Sequence, residues 1–361
     1  MILQKYIFRE LLVVFVIAFA ILITVCTVGL IFNMFRATEG VTLSFIFEAL
    51  PIAFSYMAPW ALLVAATLTS TMVYGRLASD NEIDAMRSSG IHMGRVVAPA
   101  VLFAIVVLVC TFVTHQELAP WAHYSRRSLV EETLLTMLHN PPPGRQPSIK
   151  ISGRANLSYE DARDGLLVKP LLSLFDANGQ PEQEIWGSEG RIKIIGDREV
   201  RITIKDGHYM KWATDEKGDR VKVAGGPFGK ETEIPVEIEN PLDRPKTAAD
   251  MSGLELVSEW SRSEAGRRKT LYTELHLRFA KSLGPVCLIF LGVPIGIFVK
   301  KGTKLSGLGL AIPPLLGYFA LLFIGQSLAD RNLVAPEVGA YGPNAAVLAA
   351  SAILWFRVFR T

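Results

Sequence analysis

Six uncharged apolar runs constrain what this chain can fold into. They stand three before and three after a long polar stretch, at residues 11–32, 49–75, 96–114, 282–299, 305–329 and 338–356. A helix needs about 20 predominantly apolar residues to cross the hydrocarbon core of a bilayer, and each run has about that length. Half of all residues are hydrophobic, and the charges lie between the runs. The pattern predicts a polytopic α-helical membrane protein with six transmembrane helices arranged 3+3.

The short segments between the runs differ in charge. If the runs alternate in direction, ten Lys and Arg residues fall on the side of the two termini and two, Arg36 and Arg331, fall on the other side. The ten are Lys5, Arg9, Arg76, Arg87, Arg95, Lys300, Lys301, Lys304, Arg357 and Arg360. Short cytoplasmic loops carry an excess of basic residues, so we predict cytoplasmic termini and an external location for residues 115–281. The net charge of +3 gives no indication of nucleic-acid binding.

The polar stretch divides the chain further. Residues 116–144 read as a helix that extends the third span, and residues 246–281 as a helical segment that returns to the membrane. Between them, residues 145–245 alternate apolar and polar side chains, as at 148–151, 191–194, 200–204 and 220–223, which predicts short antiparallel strands. We therefore predict transmembrane helices 1–3 in residues 1–115, helices 4–6 in residues 282–361, and an inserted all-β domain. The pattern does not choose among a sandwich, a jelly roll and a partly open barrel.

The sequence carries no set of residues that predicts catalysis. The six histidines have no metal-ligand spacing, and the three cysteines lie inside apolar runs. The nearest approach to a phosphate-binding loop, at residues 225–231, has Glu231 where Ser or Thr would bind magnesium. We predict no catalytic residue, no metal, no cofactor and no nucleotide-hydrolysis site.

The segment at 79–90, between the second and third runs, has the clearest local pattern. It predicts a short helix with Ser79 or Asp80 as its N-cap, an acidic first turn at Glu82 and a C-terminal stop at Gly90. Such a helix suits a partner's groove, and a solvated connection explains the pattern equally well. The residues that we predict to contact a partner are Asp80, Glu82, Ile83, Met86 and Arg87.

Several motifs occur in an order that resembles one known family. They are Tyr6-Ile7-Phe8-Arg9-Glu10, Ser79-Asp80-x-Glu82-Ile83-x-Ala85-Met86-Arg87-x-x-Gly90, Met251-Ser252-x-x-Glu255-Leu256, Glu274-Leu275-x-x-Arg278-Phe279-Ala280 and Gly292-Val293-Pro294-Ile295-Gly296. Together with the 3+3 layout they make nearly the whole chain similar to the LptF/LptG permeases. Residues 340–344 depart from the family, which tends to have a Trp before this Pro-Asn pair.

The resemblance implies a permease subunit of an ABC exporter. Such a subunit extracts lipopolysaccharide or a related envelope lipid from the bacterial inner membrane, and its jelly-roll-like domain passes the lipid to a periplasmic β-jellyroll bridge protein. The implied partners also include a cytoplasmic ABC ATPase dimer and a second LptF/LptG-like subunit. In this context the 79–90 helix is expected to dock into the ATPase, with Glu82 as the charged contact and Ile83 and Met86 as apolar anchors.

The resemblance also points to a lipid-binding role at the end of the first run, where Phe32, Asn33 and Arg36 lie at the depth of lipid phosphates. Arginine can bind a phosphate through two parallel hydrogen bonds. A single arginine at a helix end can instead extend to ordinary headgroups without selecting among them. Both interpretations remain open at this point.

Two other function classes compete with lipid export. A mechanotransmitting ABC permease-like protein would act on periplasmic partners without moving a lipid, although such proteins more often place the outer domain after the first of four spans. An integral membrane enzyme would need polar catalytic groups near an interface, and the sequence shows no convergent set. A lipid that stays bound during purification would separate the first class from an exporter.

Overall fold

The computed structural model describes residues 2–37, 43–141, 148–152, 154–163, 165–176, 179–195, 199–214, 220–237, 246–298 and 306–360. At residues 33–37, 43–45, 130–133, 199, 213–214, 220–222, 237 and 306–308 the description covers the backbone alone.

Long helices account for most of the described residues. They are α1 (Ile2–Ala37), α2 (Leu43–Ser79), α4 (Met93–Val113), α5 (Ala119–His139), α7 (Ala265–Phe298), α8 (Ser306–Asp330) and α9 (Pro336–Arg360), with the short helices α3 (Glu82–Ser88) and α6 (Gly253–Arg262) between them. A π-helical turn, Thr114–Leu118, joins α4 to α5, so the helix of the third span continues to His139. Within the described residues, six helical segments are long and apolar enough to cross a membrane. The predicted six-helix class is therefore confirmed.

Contacts divide the chain into two compact units. The first comprises Met1–Leu30, Leu50–Tyr124 and Lys246–Thr361, and the second comprises Ile31–Ala49 and Ser125–Pro245. Each unit has its own buried cluster of apolar side chains.

In the first unit, α7 packs closely on α2 through glycine. A Cβ atom added at Gly296 would lie 2.7 Å from the carbonyl oxygen of Thr71 and 2.8 Å from the backbone nitrogen of Gly75. Small residues allow membrane helices to approach each other in this way. The Gly292-x-x-x-Gly296 spacing therefore serves close packing of α7 on α2.

Polar side chains connect α9 to α7. The Asn344 amide donates to the carbonyl oxygen of Ala280 at 2.8 Å. Near the other end of α9, the Ser351 hydroxyl and the Trp355 indole N–H both donate to the carbonyl oxygen of Phe290, at 2.8 and 2.9 Å. Pro294 has no N–H to donate to the carbonyl oxygen of Phe290, four residues earlier in α7, and the bonds from Ser351 and Trp355 satisfy this acceptor.

The second unit contains a β region of two antiparallel sheets. Among the described residues its strands are β1 (Ser148–Ser152), β2 (Ala155–Ser158), β3 (Asp161–Arg163), β4 (Leu166–Val168), β5 (Leu171–Phe175), β6 (Pro181–Trp186), β7 (Glu189–Ile195), β8 (Glu199–Lys205), β9 (His208–Thr214), β10 (Arg220–Pro227) and β11 (Glu231–Glu237). The four strands predicted from alternation correspond to β1, β7, β8 and β10. In β1, for example, Ile149 and Ile151 are buried while Ser148 and Lys150 are exposed.

The strand order follows a regular rule. One sheet has the order β1-β2-β5-β6-β9-β10 and the other β11-β8-β7-β4-β3, as far as the described strands go. Successive hairpins therefore alternate between the two sheets, and both contribute to one core with Leu138 of α5. A jelly roll is built from two Greek keys. The jelly-roll topology that we named for this region is not confirmed.

Candidate functional site

The helix predicted at 79–90 exists as α3, but its N-terminal cap differs from the prediction. The capping residue is Asn81, which adopts the left-handed conformation with φ 56° and makes no side-chain cap bond. Asparagine tolerates this conformation better than most residues. The hydroxyl of Ser79 instead donates to the carbonyl oxygen of Arg76 at 3.0 Å, so the assignment of the cap to Ser79 or Asp80 is wrong.

The predicted stop of α3 at Gly90 is confirmed. Gly90 has φ 80°, and its N–H donates to the carbonyl oxygen of Arg87 at 2.9 Å, while the N–H of Ile91 donates to that of Met86 at 3.0 Å. This pair of bonds is the Schellman motif, in which a glycine outside the helix takes the left-handed conformation. The exit of the chain from α3 is therefore defined by its backbone.

The apolar face of α3 is turned into the chain's own core. Ile83 is 2% exposed and Met86 is 9% exposed, and both belong to the buried cluster that contains Ile7, Leu11 and Leu77 of α1 and α2. Side chains this deeply buried offer almost no surface to another protein. Ile83 and Met86 therefore pack α3 against the chain's own core, and the expectation that they anchor a partner stays a prediction.

Arg76, at the end of α2, joins α3 to α1. Its guanidinium lies 3.3 Å from the Glu10 carboxylate, 3.7 Å from that of Glu82 and 3.8 Å from that of Asp80. It also donates to the Tyr6 hydroxyl at 3.1 Å, which in turn donates to Glu82 at 3.5 Å. All five residues belong to motifs or charges noted in the sequence, but their convergence requires the packing of three helices.

The surface that α3 presents to solvent is small and mostly uncharged. Ala85 and Ser88 are exposed, and the carboxylate side chain of Asp80 is 44% exposed beside them in the chain. Glu82, with 31% of its side chain exposed, and Arg87 stand at the edge of this surface. The sequence analysis named Asp80, Glu82 and Arg87 of this surface and its edge, but it did not name Ala85, because a single alanine gives no functional signal.

The predicted lipid-binding residues lie at the end of α1. Phe32 is 58% exposed, and the helix backbone continues through Asn33 and Arg36 to Ala37. The side chains of Asn33 and Arg36 lie outside the described part of the structure. Their role remains a prediction.

One polar pocket was missed by the sequence reasoning. His115 directly follows one apolar run and Lys281 directly precedes another, so the sequence gives no reason to expect them together. The structure places both in a pocket with Trp60 and Tyr318, beside Pro59, Leu63 and Leu322. Trp60 lies about 16 Å along α2 from residue 49, where its apolar run begins.

Comparison with known proteins gives one family. The family model described as lipopolysaccharide export system permease LptF/LptG matches residues 5–357. No curated protein matches the sequence. Permeases of this family are transmembrane subunits, and the ATPase of the export system is a separate protein. Because the match extends over nearly the whole chain, the chain belongs to the LptF/LptG family of lipopolysaccharide export permeases.

Proposed function

We propose that α3 is the segment through which a separate cytoplasmic ABC ATPase drives this lipopolysaccharide export permease. The observation that supports the proposal is the Arg76 cluster. It holds the carboxylates of Glu10 and Glu82 within 3.3 and 3.7 Å of one guanidinium, so α3 is tied to both α1 and α2. A push on α3 would therefore be passed to two spans.

The same cluster supports the proposed topology. Because Arg76 contacts α1 near its first turns as well as α3, the N-terminal end of α1 and α3 share one side of the membrane. The excess of basic residues makes that side the cytoplasm. In this proposal both termini are cytoplasmic, and residues 145–245 are periplasmic.

The β region would then pass lipid onward in the periplasm. The last two described strands of the chain are both edge strands, β10 in one sheet and β11 in the other. An open edge can pair with a strand of another protein. We propose a periplasmic β-jellyroll bridge protein as the partner at this end, and a second LptF/LptG-like subunit as the partner of the spans.

The coupling proposal can be tested at Ala85, which is exposed and has only a methyl group to replace. In the proposed complex, Ala85→Trp should block ATPase docking, so the ATPase should no longer co-purify. Ser258→Trp, at an exposed position of α6, is the matched control and should leave the ATPase bound. Glu82→Ala should also lose ATPase association or lipid-stimulated ATP hydrolysis.

The thermal midpoint of each variant in detergent shows whether the permease itself still folds. Full ATPase association and stimulation in both Ala85→Trp and Glu82→Ala would refute docking through α3. If Ala85→Trp loses the ATPase and its thermal midpoint also falls sharply, the variant has misfolded and a second one, Ala85→Arg, replaces it. Ala85→Arg adds a charge without a rigid ring, and it should lose the ATPase while keeping its thermal midpoint.

Topology is tested by labelling with a membrane-impermeant thiol reagent after the native cysteines are replaced. Asn178, in an Asn-Gly turn signal of this region, lies outside the described residues, so the label is placed at Gln180, which is exposed just before β6. Gln180→Cys should be labelled from the periplasm of cells whose inner membrane is intact. Labelling only after the inner membrane is opened would reverse the proposed orientation.

The lipid role of Arg36 has its own test. If the guanidinium binds a lipid phosphate, Arg36→Glu should weaken lipid-stimulated ATP hydrolysis while assembly with the partners is unchanged. An unchanged lipid dose-response would leave Arg36 as a residue that reaches ordinary headgroups.

A further inference from the structure

The short helix α6 is held on α7 by a buried arginine. Arg278 is 4% exposed and donates to the carbonyl oxygens of Met251 and Ala248, both at 2.7 Å. It also donates to the Glu274 carboxylate at 2.9 Å, one turn earlier on α7. These bonds fix the turn that leads into α6 and therefore the place where α6 begins.

The inner face of α6 is packed on the same helix. Leu256 is fully buried in a cluster with Met251 and Leu271. A capping box closes the N-terminus, since the Ser252 hydroxyl accepts from the N–H of Glu255 and the Glu255 carboxylate accepts from the N–H of Ser252. The helix is thus a fixed element and not a loose linker.

The outer face of α6 is apolar and uncovered. Leu254 is 82% exposed, Val257 49% and Trp260 38%. Residues spaced three apart follow one side of a helix, so these three side chains form a single apolar row. The opposite side carries Glu255, Glu259 and Arg262. Ten residues with this separation of faces have the pattern of a helix that lies along a membrane surface.

The level of α6 is set by its contacts with the spans. The Trp260 ring lies 6.4 Å from the ring of Tyr272. The Tyr272 hydroxyl donates to the Glu337 carboxylate at 2.6 Å, in the first turn of α9 and just before its apolar run. Lys269 bonds Asn332, in the connection between α8 and α9. Through Tyr272, Trp260 therefore lies near the place where α8 ends and α9 begins, at one end of the apolar runs of these two helices.

We propose that α6 is an in-plane membrane helix whose Leu254, Val257 and Trp260 insert into the lipid headgroup and acyl boundary of the bilayer that the spans cross. Tryptophan is enriched at this boundary because its ring is apolar and its N–H is polar. The occupant is lipid and not a protein partner because the apolar row lies beside the ends of two spans, whose surroundings are already lipid. The capped helix and the Arg278 bonds hold the row at that depth.

The test uses single cysteines carrying a nitroxide spin label, in the full-length permease reconstituted into liposomes with its ATPase and partner subunit. Labels at Leu254→Cys and Val257→Cys report the apolar row. A label at Arg262→Cys, which is exposed on the other side of α6, is the matched control. Collisions with oxygen, which enters lipid, are compared with collisions with a water-soluble nickel chelate.

We expect the two labels of the row to collide with oxygen and to be protected from nickel, at a depth of about 5–10 Å in the headgroup and acyl boundary. The Arg262 label should remain accessible to nickel. Equal nickel accessibility at all three positions would overturn the proposal, because the row would then face water. Protection of the row from both reagents would also overturn it, because a protein would then cover α6.

Discussion

The two short helices α3 and α6 differ in what they do with their apolar side chains. In α3, Ile83 and Met86 are buried in a cluster with α1 and α2. In α6, one residue, Leu256, is buried and a row of three large apolar residues stays exposed. Both helices have defined ends, so the way in which each helix terminates does not explain the difference.

The difference comes from the number of long helices beside each one. α3 lies at the ends of α1 and α2, which together enclose its apolar face. The buried apolar contacts of α6 are with α7 and the turn before it, and Gln116 of the π-helical turn lies against Gly253 at its start, so one side of the helix stays uncovered. An apolar row that the chain does not cover is stable only if something outside the chain removes it from water. α3 is therefore packed into the permease on its apolar side, as the proposed coupling role needs, and α6 keeps an apolar row for contact with its surroundings.

The largest effect is expected from Arg278→Ala, which removes the anchor of α6. Removing one partner of a buried, hydrogen-bonded ion pair costs about 3–5 kcal/mol. The thermal midpoint should fall strongly, and proteases should cut between residues 246 and 262. The matched control is Arg267→Ala, because Arg267 pairs with Glu259 at 3.2 Å on the surface and such pairs contribute about 0–1 kcal/mol. Equal losses in the two variants would mean that Arg278 does not anchor α6.

A second effect compares the two apolar faces directly. Ile83→Ala should lower the free energy of unfolding by about 2–3 kcal/mol, since it leaves a cavity in a closed cluster. Val257→Ala, on the exposed row, should change it by less than about 0.5 kcal/mol in detergent. Chemical or thermal unfolding of the purified permease measures both. A loss at Val257 as large as that at Ile83 would show that the outer row of α6 is packed as tightly as the core face of α3.

Much of this comparison was accessible from the sequence, and the missing part has a physical cause. The acidic start of α3 and its stop at Gly90 are local signals, and alternation identified strands such as β1. Which face a seven-residue helix buries depends on the helices around it, so the core position of Ile83 was not predictable. The Arg76 cluster depends on three helix ends for the same reason. Strand order in two sheets also requires contacts that periodicity does not encode.

A third effect concerns the stop of α3. Gly90→Ala places a side chain at φ 80°, which costs about 1–2 kcal/mol for a residue other than glycine. Hydrogen exchange should become faster in residues 82–91 and stay unchanged in α6. Gly266→Ala is the matched control, because an added Cβ there meets no atom within 4 Å and alanine favours the helix. If Gly90→Ala left exchange in residues 82–91 unchanged while Gly266→Ala made it faster, the assigned role of Gly90 would be contradicted.

The smallest effect should come from the cap of α6 and depends on pH. The pKa of Glu255 lies below its ordinary value of 4.5, first because Lys246 donates to its carboxylate and second because the N–H of Ser252 does. A lowered pKa means that the ionised form stabilises the fold, so the contribution is complete at neutral pH and is lost as the pH falls through the lowered value.

Glu255→Gln should therefore speed hydrogen exchange in α6 at neutral pH, and the difference from the natural chain should disappear in acid. The pair with Lys246 is exposed, so the effect should not exceed about 1 kcal/mol. The amides of α3 provide the internal control, because their cap is a backbone arrangement without a carboxylate. A difference that persists below the lowered pKa would mean that the glutamine changes α6 through its shape and not through its charge.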